Sequence, residues 1–150
     1  MRFTITDKEK ADCFCTIFKH IKNFTDHITF QFEDDMLYVQ GMDSCQVSLY
    51  EIKFSKSWFS EYDSDVPSNE PTAPKEVSVN ATFLSSILGI RQDNQAIIID
   101  YGNDKLNFEY TSDATNEFDK YFELPTMVLD KDNLEIPDSE YVADFEIETK

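Results

Sequence analysis

The sequence predicts an α+β fold in which two helices lie on one face of antiparallel sheet. The first observation behind this prediction is an order of elements that occurs twice: a strand, then a helix, then three strands. The second is composition, because hydrophobic residues make up 41% of the chain and Phe alone occurs thirteen times. A chain of 150 residues with this composition can bury a core despite its net charge of −17. Each element must bury its apolar face, and helices on one side of a sheet are a stable solution.

The first unit begins with a short strand over residues 3 to 6. A helix over about residues 8 to 24 follows, with apolar residues at spacings of three and four: Phe14, Ile17, Phe18, Ile21 and Phe24. Alternating apolar residues then predict a hairpin that turns at Asp34-Asp35. A third strand extends towards Phe54, with Val47 and Leu49 on one face and Tyr50 and Ile52 on the other.

The second unit begins with a strand over residues 76 to 79. A helix from Ala81 to about Ile90 follows, and the residues predicted to point inward are Phe83, Leu84, Ile87 and Leu88. Strands are predicted near residues 96 to 101, 105 to 110 and 118 to 124, with a hairpin turn over 101 to 104. Residues 60 to 75 are polar and contain three prolines, which predicts a loop or crossover between the units.

No catalytic or metal-binding pattern is recognisable in the sequence. His20 and His27 are the only histidines, and neither lies in a catalytic context. Cys13, Cys15 and Cys45 lack the spacing of metal ligands and are expected to be reduced thiols. We therefore expect a protein that is not an enzyme and needs no cofactor or metal. An enzyme with an unrecognised site remains an alternative, which loss of an activity on mutation of either histidine would support.

Charge is unevenly distributed along the chain. Residues 100 to 150 hold fifteen of the thirty acids and four of the thirteen bases, whereas residues 1 to 24 hold five bases and three acids. Lys8, Lys19 and Lys22 follow one edge of the first helix at helical spacing. Taken alone, this edge is most simply explained as a solvated helix surface.

The sequence contains no run of about 18 apolar residues and no apolar signal peptide at its N-terminus. These features predict an intracellular protein without a membrane partner.

Residues Met42 to Leu49 read Met-Asp-Ser-Cys-Gln-Val-Ser-Leu. This block resembles the signature of DNA sliding clamps of the proliferating cell nuclear antigen type, which lies at a turn between two strands of their first domain. Residues 77 to 88 are similar to that family's second helix and the strand before it, and residues 124 to 141 resemble its interdomain connector. The resemblance implies a clamp N-terminal domain over 1–124, a connector over 125–140 and the first strand of a truncated second domain over 141–150.

This resemblance implies a DNA polymerase processivity factor that encircles duplex DNA as a ring, independently of DNA sequence. Its helices would face the DNA and direct cationic side chains towards it: Lys8, Lys19, Lys22 and Arg91. A sheet edge would pair with a neighbouring subunit through Phe118, Lys120, Tyr121 and Phe122. The full-length protein would form a homotrimer and use a clamp loader, and this fragment would be mainly monomeric. Its expected location is the nucleus, or another cellular or viral site of DNA replication.

The resemblance also implies a shallow apolar cleft for partner peptides. Such peptides carry the pattern Gln-x-x-aliphatic-x-x-aromatic-aromatic and belong to DNA polymerase and other replication and repair proteins. The residues expected to form the cleft are Met42, Gln46, Val47, Leu49, Leu129, Leu134, Ile136 and Pro137. Aromatic anchors in a desolvated pocket can supply most of the affinity of a small interface. Val47 and Leu49 could instead be ordinary core residues, but the matching connector favours the cleft.

The sequence departs from the family pattern at several positions. Gln46 stands where animal proteins carry His, and Ser86 and Gly89 stand where many members carry lysines in the second helix. The DNA-facing surface is therefore expected to attract DNA only weakly, although topological retention on DNA does not require high affinity. The alternative is a monomeric acidic interaction module or DNA mimic, which would carry acids on its helix face instead of the three lysines.

Overall fold

The computed structural model describes residues 1–45, 47–65, 75–113 and 118–129. Over these ranges the chain forms nine strands, two α-helices and one short 3-10 helix over Lys56–Trp58. In chain order the elements are β1 (Arg2–Ile5), α1 (Lys8–Ile21), β2 (His27–Phe32), β3 (Met36–Met42), β4 (Leu49–Ser55), β5 (Glu61–Asp63), β6 (Glu76–Asn80), α2 (Ala81–Gly89), β7 (Ala96–Gly102), β8 (Lys105–Thr111) and β9 (Lys120–Pro125).

The strands form two antiparallel sheets, one in the order β5-β1-β7-β8-β9 and the other in the order β4-β3-β2-β6. The first strand of each unit pairs with the other unit: β1 pairs with β7, and β6 pairs with β2. The predicted α+β class and the duplicated order of elements are confirmed. The division into two sheets and the exchange of first strands were not predicted, because alternation indicates which face of a strand is buried but does not identify its neighbour.

One hydrophobic core joins both sheets and both helices. Phe14 of α1 lies at its centre, with its ring centroid 5.7 Å from that of Phe3 in one sheet and 5.5 Å from that of Phe54 in the other. Burial of a side chain of this size stabilises a fold by roughly 1.5–3 kcal/mol relative to its exposure to water. The Phe-rich composition therefore serves to hold the two sheets against α1.

Both helices begin at a side-chain cap. The Asp7 carboxylate accepts the Lys10 N–H at 2.9 Å, and the Asn80 side-chain oxygen accepts the Phe83 N–H at 3.1 Å. Helix α1 ends at Ile21, three residues before the predicted end. The Phe24 N–H donates to the Ile21 carbonyl at 2.8 Å in a tight turn, and the Phe24 side chain is exposed. The predicted helix was therefore about one turn too long, because Phe24 was counted in its apolar stripe.

Three further predictions, one about burial and two about strand positions, differ from the structure. Phe83 was placed inside, yet its side chain is 63% exposed, because it lies about one helical position away from the buried stripe of Leu84 and Leu88. Val47 was placed in a strand, but β4 begins at Leu49. Residues 60 to 75 were predicted as a loop or crossover; within this segment Glu61–Asp63 forms β5, which pairs with β1, and residues 66–74 lie outside the described residues. A strand of three residues is too short for alternation to reveal it.

Candidate functional site: the 42–49 loop, the helix face and the edge strand

Asp43 closes the loop between β3 and β4, called here the 42–49 loop. Its Oδ1 accepts the N–H groups of Val47 at 2.7 Å and Ser48 at 2.6 Å, and its Oδ2 accepts that of Cys45 at 3.3 Å. The Asp43 N–H donates to the Ser48 carbonyl at 2.9 Å. Backbone hydrogen bonds, the largest contribution being from Ser48, lower the pKa of Asp43 against an opposing effect of desolvation. One ionised carboxylate thus fixes the shape of the loop.

The 42–49 loop is anchored on both sides, and it exposes apolar side chains. Met42 and Leu49 pair at the ends of β3 and β4, and the Ser44 N–H donates to the Phe24 carbonyl at 3.2 Å. The Val47 side chain is 84% exposed, and Leu49 is also exposed. These two residues are therefore not ordinary core residues. Apolar side chains held outside the core by a closed loop can contact a partner.

A tight contact between Gly41 and Tyr50 lies next to the loop. A Cβ atom on Gly41 would lie 2.5 Å from Cζ of Tyr50, its cross-strand partner, so a larger residue does not fit at position 41. The Tyr50 hydroxyl is buried and has no hydrogen-bond partner in the part of the chain that the structure describes. Burial raises the pKa of Tyr50 to about 12. The hydroxyl is therefore neutral at physiological pH and carries an unmet hydrogen bond.

The chain leaves β9 and crosses from the five-stranded sheet to the edge of the four-stranded sheet. The Thr126 N–H donates to the Asp104 carbonyl at 3.0 Å, and the Met127 N–H donates to the Ser78 carbonyl of β6 at 2.8 Å. Met127 and Val128 expose their side chains, and Leu129 is half-buried. Four of the predicted cleft residues lie outside the described residues: Gln46, Leu134, Ile136 and Pro137. The second wall of the cleft therefore stays a prediction.

The predicted helix face exposes Lys8, Lys19 and Lys22. The Lys8 ammonium lies 3.4 Å from the Asp93 carboxylate, but both groups are exposed and such pairs contribute little. The exposed positions of α2 carry no acid: Thr82, Phe83, Ser86 and Gly89. The described helices therefore do not show the acidic cluster that the DNA-mimic alternative requires.

Arg91 is part of an internal network and does not extend that helix face. Its Nη1 donates to Asp12 Oδ1 at 2.6 Å, its Nε to the Gln95 carbonyl at 2.8 Å and its Nη2 to the Asp93 carbonyl at 3.0 Å. The side chain is only 5% exposed. Since its charge is already balanced by Asp12, this geometry argues against the predicted DNA-facing role of Arg91.

The predicted subunit edge is β9, which ends the five-stranded sheet. The Phe118 side chain is 84% exposed and that of Tyr121 is also exposed. Phe122 packs on Tyr110 with ring centroids 5.9 Å apart, and Lys120 donates to the end of α2. Only two of the four predicted interface side chains, Phe118 and Tyr121, are therefore exposed.

Sequence reasoning missed two apolar side chains on α2 and just after it. Phe83 and Ile90 are exposed, and Ile90 lies close to β9 because its carbonyl accepts the Lys120 ammonium at 2.8 Å. The available signal was the spacing of Leu84 and Leu88, which leaves Phe83 off the buried stripe of this helix.

The described cysteines are unpaired and lie outside any metal site. Cys13 and Cys45 are exposed and Cys15 is buried, all as free thiols, and burial raises the pKa of Cys15. Among the described residues, no group of three or more His, Cys, Asp or Glu side chains could hold a metal ion. Neither described helix has the length and apolar character needed to cross a membrane.

Comparisons with known proteins agree with this geometry. The family model described as proliferating cell nuclear antigen, N-terminal domain, matches residues 6–134. A DNA polymerase sliding clamp of Picrophilus torridus is 30% identical over 102 residues, which cover 68% of this chain and 36% of that protein. The proliferating cell nuclear antigen of Chaetomium thermophilum is 26% identical, over 90% of this chain and 50% of that protein. The chain spans half or less of the length of these relatives.

Two solved structures have the same fold. The PCNA of Thermococcus kodakaraensis superposes with a TM-score of 0.74 at 17% identity, over 91% of this chain and 50% of that one. A PCNA2–PCNA3 complex from Sulfolobus tokodaii gives a TM-score of 0.74 at 23% identity, over 92% of this chain and 50% of that one. At these identities the likeness establishes the fold alone.

Proposed function

The chain belongs to the proliferating cell nuclear antigen family of DNA sliding clamps, and from this membership we propose that it is the N-terminal half of a processivity factor. The protein would tether DNA polymerase to duplex DNA and catalyse no reaction itself. The observation that carries the proposal is the family match over residues 6–134, which includes both helices and every described strand except β1. The proposed place of action is the nucleus, or another cellular or viral site of DNA replication.

The surface formed by α1 and α2 would face the duplex. Lys8, Lys19 and Lys22 are exposed there, whereas Arg91 is excluded from this proposal by its contact with Asp12. Three lysines give weak, salt-sensitive attraction that is independent of DNA sequence. Weak attraction is compatible with a protein that slides, since retention would come from a closed ring.

The ring would form through β9. Its outer edge has backbone groups available for another strand, and the exposed Phe118 and Tyr121 would add apolar contact. Phe83 and Ile90 would extend this contact onto α2 and its C-terminal end. We infer a homotrimer of protomers that each contain a second domain, and a clamp loader that opens the ring, because a closed ring cannot pass onto circular DNA.

The 42–49 loop would bind partner peptides. Exposed Val47 and Leu49 supply one apolar wall, and the connector residues Leu129, Leu134, Ile136 and Pro137 would supply the other, with Gln46 at the rim. The proposed ligands are segments of DNA polymerase and other proteins with the pattern Gln-x-x-aliphatic-x-x-aromatic-aromatic. Their aromatic side chains would enter the cleft as anchors.

Topological retention tests the processivity function. The intact protein, loaded onto closed circular DNA by its loader, is expected to stay bound until the circle is cut and then to slide off the ends. Linear DNA with blocked ends is the control, since it should retain the protein as the circle does. Equal retention on linear DNA with open ends, or sequence-selective binding to it, would contradict the proposal.

A further inference from the structure

A polar network centred on the buried Gln95 lies between the end of α2 and the start of β9. It consists of Asp12, Arg91, Gln92, Gln95 and Lys120 and is called here the edge network. We propose that Gln95 and Lys120 are positioning residues that hold the start of β9 against the end of α2 and so prepare this edge for contact with a neighbouring subunit. This inference rests on the proposed ring contact through β9.

Gln95 is the centre of the edge network and is only 1% exposed. Its Nε2 donates to the Phe118 carbonyl at 2.7 Å. Its Oε1 accepts the Gln92 N–H at 3.0 Å and the Lys120 ammonium at 3.2 Å. These partners fix the orientation of the Gln95 amide. If the amide were rotated by 180°, its NH2 group would face the Gln92 N–H and the Lys120 ammonium, which are both donors, and its oxygen would face the Phe118 carbonyl, which needs a donor.

Lys120 completes the attachment from the strand side. Its Nζ donates to the Ile90 carbonyl at 2.8 Å, to Gln92 Oε1 at 3.2 Å and to Gln95 Oε1 at 3.2 Å. An ammonium group offers three donors, so all of them have partners here. Ile90 caps the C-terminus of α2, where a positive charge is favourable. All three donors are thus used within the domain, and the proposal assigns Lys120 a positioning role in place of the direct subunit contact that the sequence predicted.

The edge network matters because the sheet alone does not hold Phe118. The ladder between β8 and β9 ends at the pair of Tyr110 and Lys120, so Phe118 lies two residues beyond it. The backbone of Phe118 is held by Gln95, while its side chain is 84% exposed. An exposed apolar side chain on a backbone that is already ordered loses less conformational entropy on association.

Arg91 supports the same arrangement from the other side. Its Nε donates to the Gln95 carbonyl at 2.8 Å while its Nη1 binds Asp12 of α1. The backbone of Gln95 is thereby tied to α1, and its side chain is tied to β9. The geometry links the helix that would face DNA to the edge that would close the ring.

Two substitutions in the intact protein test the proposal. Gln95→Glu keeps the size and the acceptor for Lys120 but replaces the donor to the Phe118 carbonyl with a second oxygen. Lys120→Met keeps the aliphatic stem and removes three donors. Each is expected to weaken subunit association by about tenfold or more, as measured by sedimentation equilibrium, and to speed amide hydrogen exchange over residues 118–122.

The matched control is Lys105→Met. It removes an ammonium of β8 that pairs with Glu123 of β9 on the exposed side of the sheet. It is expected to leave association unchanged, and Lys120→Arg is expected to restore most of it. Association of both test variants equal to that of Lys105→Met would overturn the positioning role. Phe118→Asp distinguishes failure of the positioning role from failure of the proposed ring contact. If Phe118→Asp also leaves association unchanged, the ring contact through β9 is wrong. If Phe118→Asp abolishes association while Gln95→Glu and Lys120→Met do not weaken it, only the positioning role is wrong.

Discussion

At the scale of single residues, Asp43 determines the form of the 42–49 loop. The tripeptide Met-Asp-Ser supported a family resemblance in the sequence, but the function of the acid became visible only with its three backbone donors. Asp43→Ala is expected to weaken peptide binding by about tenfold, because Val47 loses the bond that orients it. Asp43→Asn keeps one acceptor and should weaken binding less. Calorimetric titration with a Gln-x-x-aliphatic-x-x-aromatic-aromatic peptide measures both, and an effect no larger than that of Glu9→Ala would contradict the prediction.

The same carboxylate predicts a pH dependence. The pKa of Asp43 is lowered from an ordinary value of 3.8. A group whose pKa is lower in the folded state stabilises that state above its unfolded pKa and loses this contribution as the pH falls through the folded value. The amide signals of Val47 and Ser48 should therefore stay constant above pH of about 4 and shift below it. A shift centred above that value would show that another group controls the loop.

Tyr50 and Gly41 predict a pair of opposite stability effects. Tyr50→Phe removes a buried hydroxyl that has no partner among the described residues, so it is expected to change the free energy of unfolding by zero to about +1 kcal/mol. Gly41→Ala places a methyl group against the Tyr50 ring and should destabilise by about 1–3 kcal/mol. Urea denaturation measures both, and Tyr50→Val should relieve the cost of Gly41→Ala. Destabilisation by Tyr50→Phe of more than about 1 kcal/mol would show that the hydroxyl is bonded.

At the scale of elements, periodicity predicted both helices and the hairpins, but it did not predict how strands pair. The stripes of α1 and α2 gave their positions to within a few residues, since a period of 3.6 persists over two or more turns. The errors at Phe24 and Phe83 occurred where an exposed aromatic followed or interrupted the stripe. β5 is too short for a pattern, and the edge network joins residues from three distant segments, which no local spacing can reveal.

Lys19 on the helix face and Arg91 in the edge network are expected to respond differently to substitution by Ala. Lys19→Ala in the intact protein should leave the free energy of unfolding within about 0.5 kcal/mol and lower the salt slope of DNA attraction by about 0.9. Arg91→Ala should destabilise by about 1–3 kcal/mol, because Asp12 and two carbonyls lose their donor, and should leave the salt slope unchanged. Denaturation and DNA titrations at several salt concentrations distinguish them. If Arg91→Ala changed the salt slope of DNA binding, Arg91 would be a DNA-facing residue after all.

The connector predicts where peptide binding is lost. Ile136→Asp places a charge in the proposed apolar cleft and should reduce affinity for the peptide by about a hundredfold, which corresponds to about 2.8 kcal/mol for an anchor position. Asn133→Asp adds the same charge to the same segment and serves as the control. Equal affinity of Ile136→Asp and the unmodified chain would remove the connector from the cleft.

At the scale of the whole molecule, the net charge of −17 and the unpaired edge of β9 together predict how this chain behaves alone. If the strand that pairs with β9 belongs to a second domain, as the resemblance implies, two copies of this chain lack complementary edges and self-repulsion opposes their association. Sedimentation is therefore expected to show a monomer. A stable trimer would mean that β9 finds its partner within residues 1–150, and the proposed ring would then need only this half.

The isolated chain should also show no measurable binding to duplex DNA near physiological salt. Three exposed lysines can neutralise about three phosphates, and the resulting attraction falls steeply as salt rises. An acidic exterior further disfavours close approach to a polyanion. Binding should become detectable only at low ionic strength, equally for unrelated sequences, and should disappear when Lys8, Lys19 and Lys22 are all replaced by Ala. Tight, sequence-selective binding of a linear duplex would require side chains that read base edges, and a protein that reads base edges would pause at its sites instead of sliding.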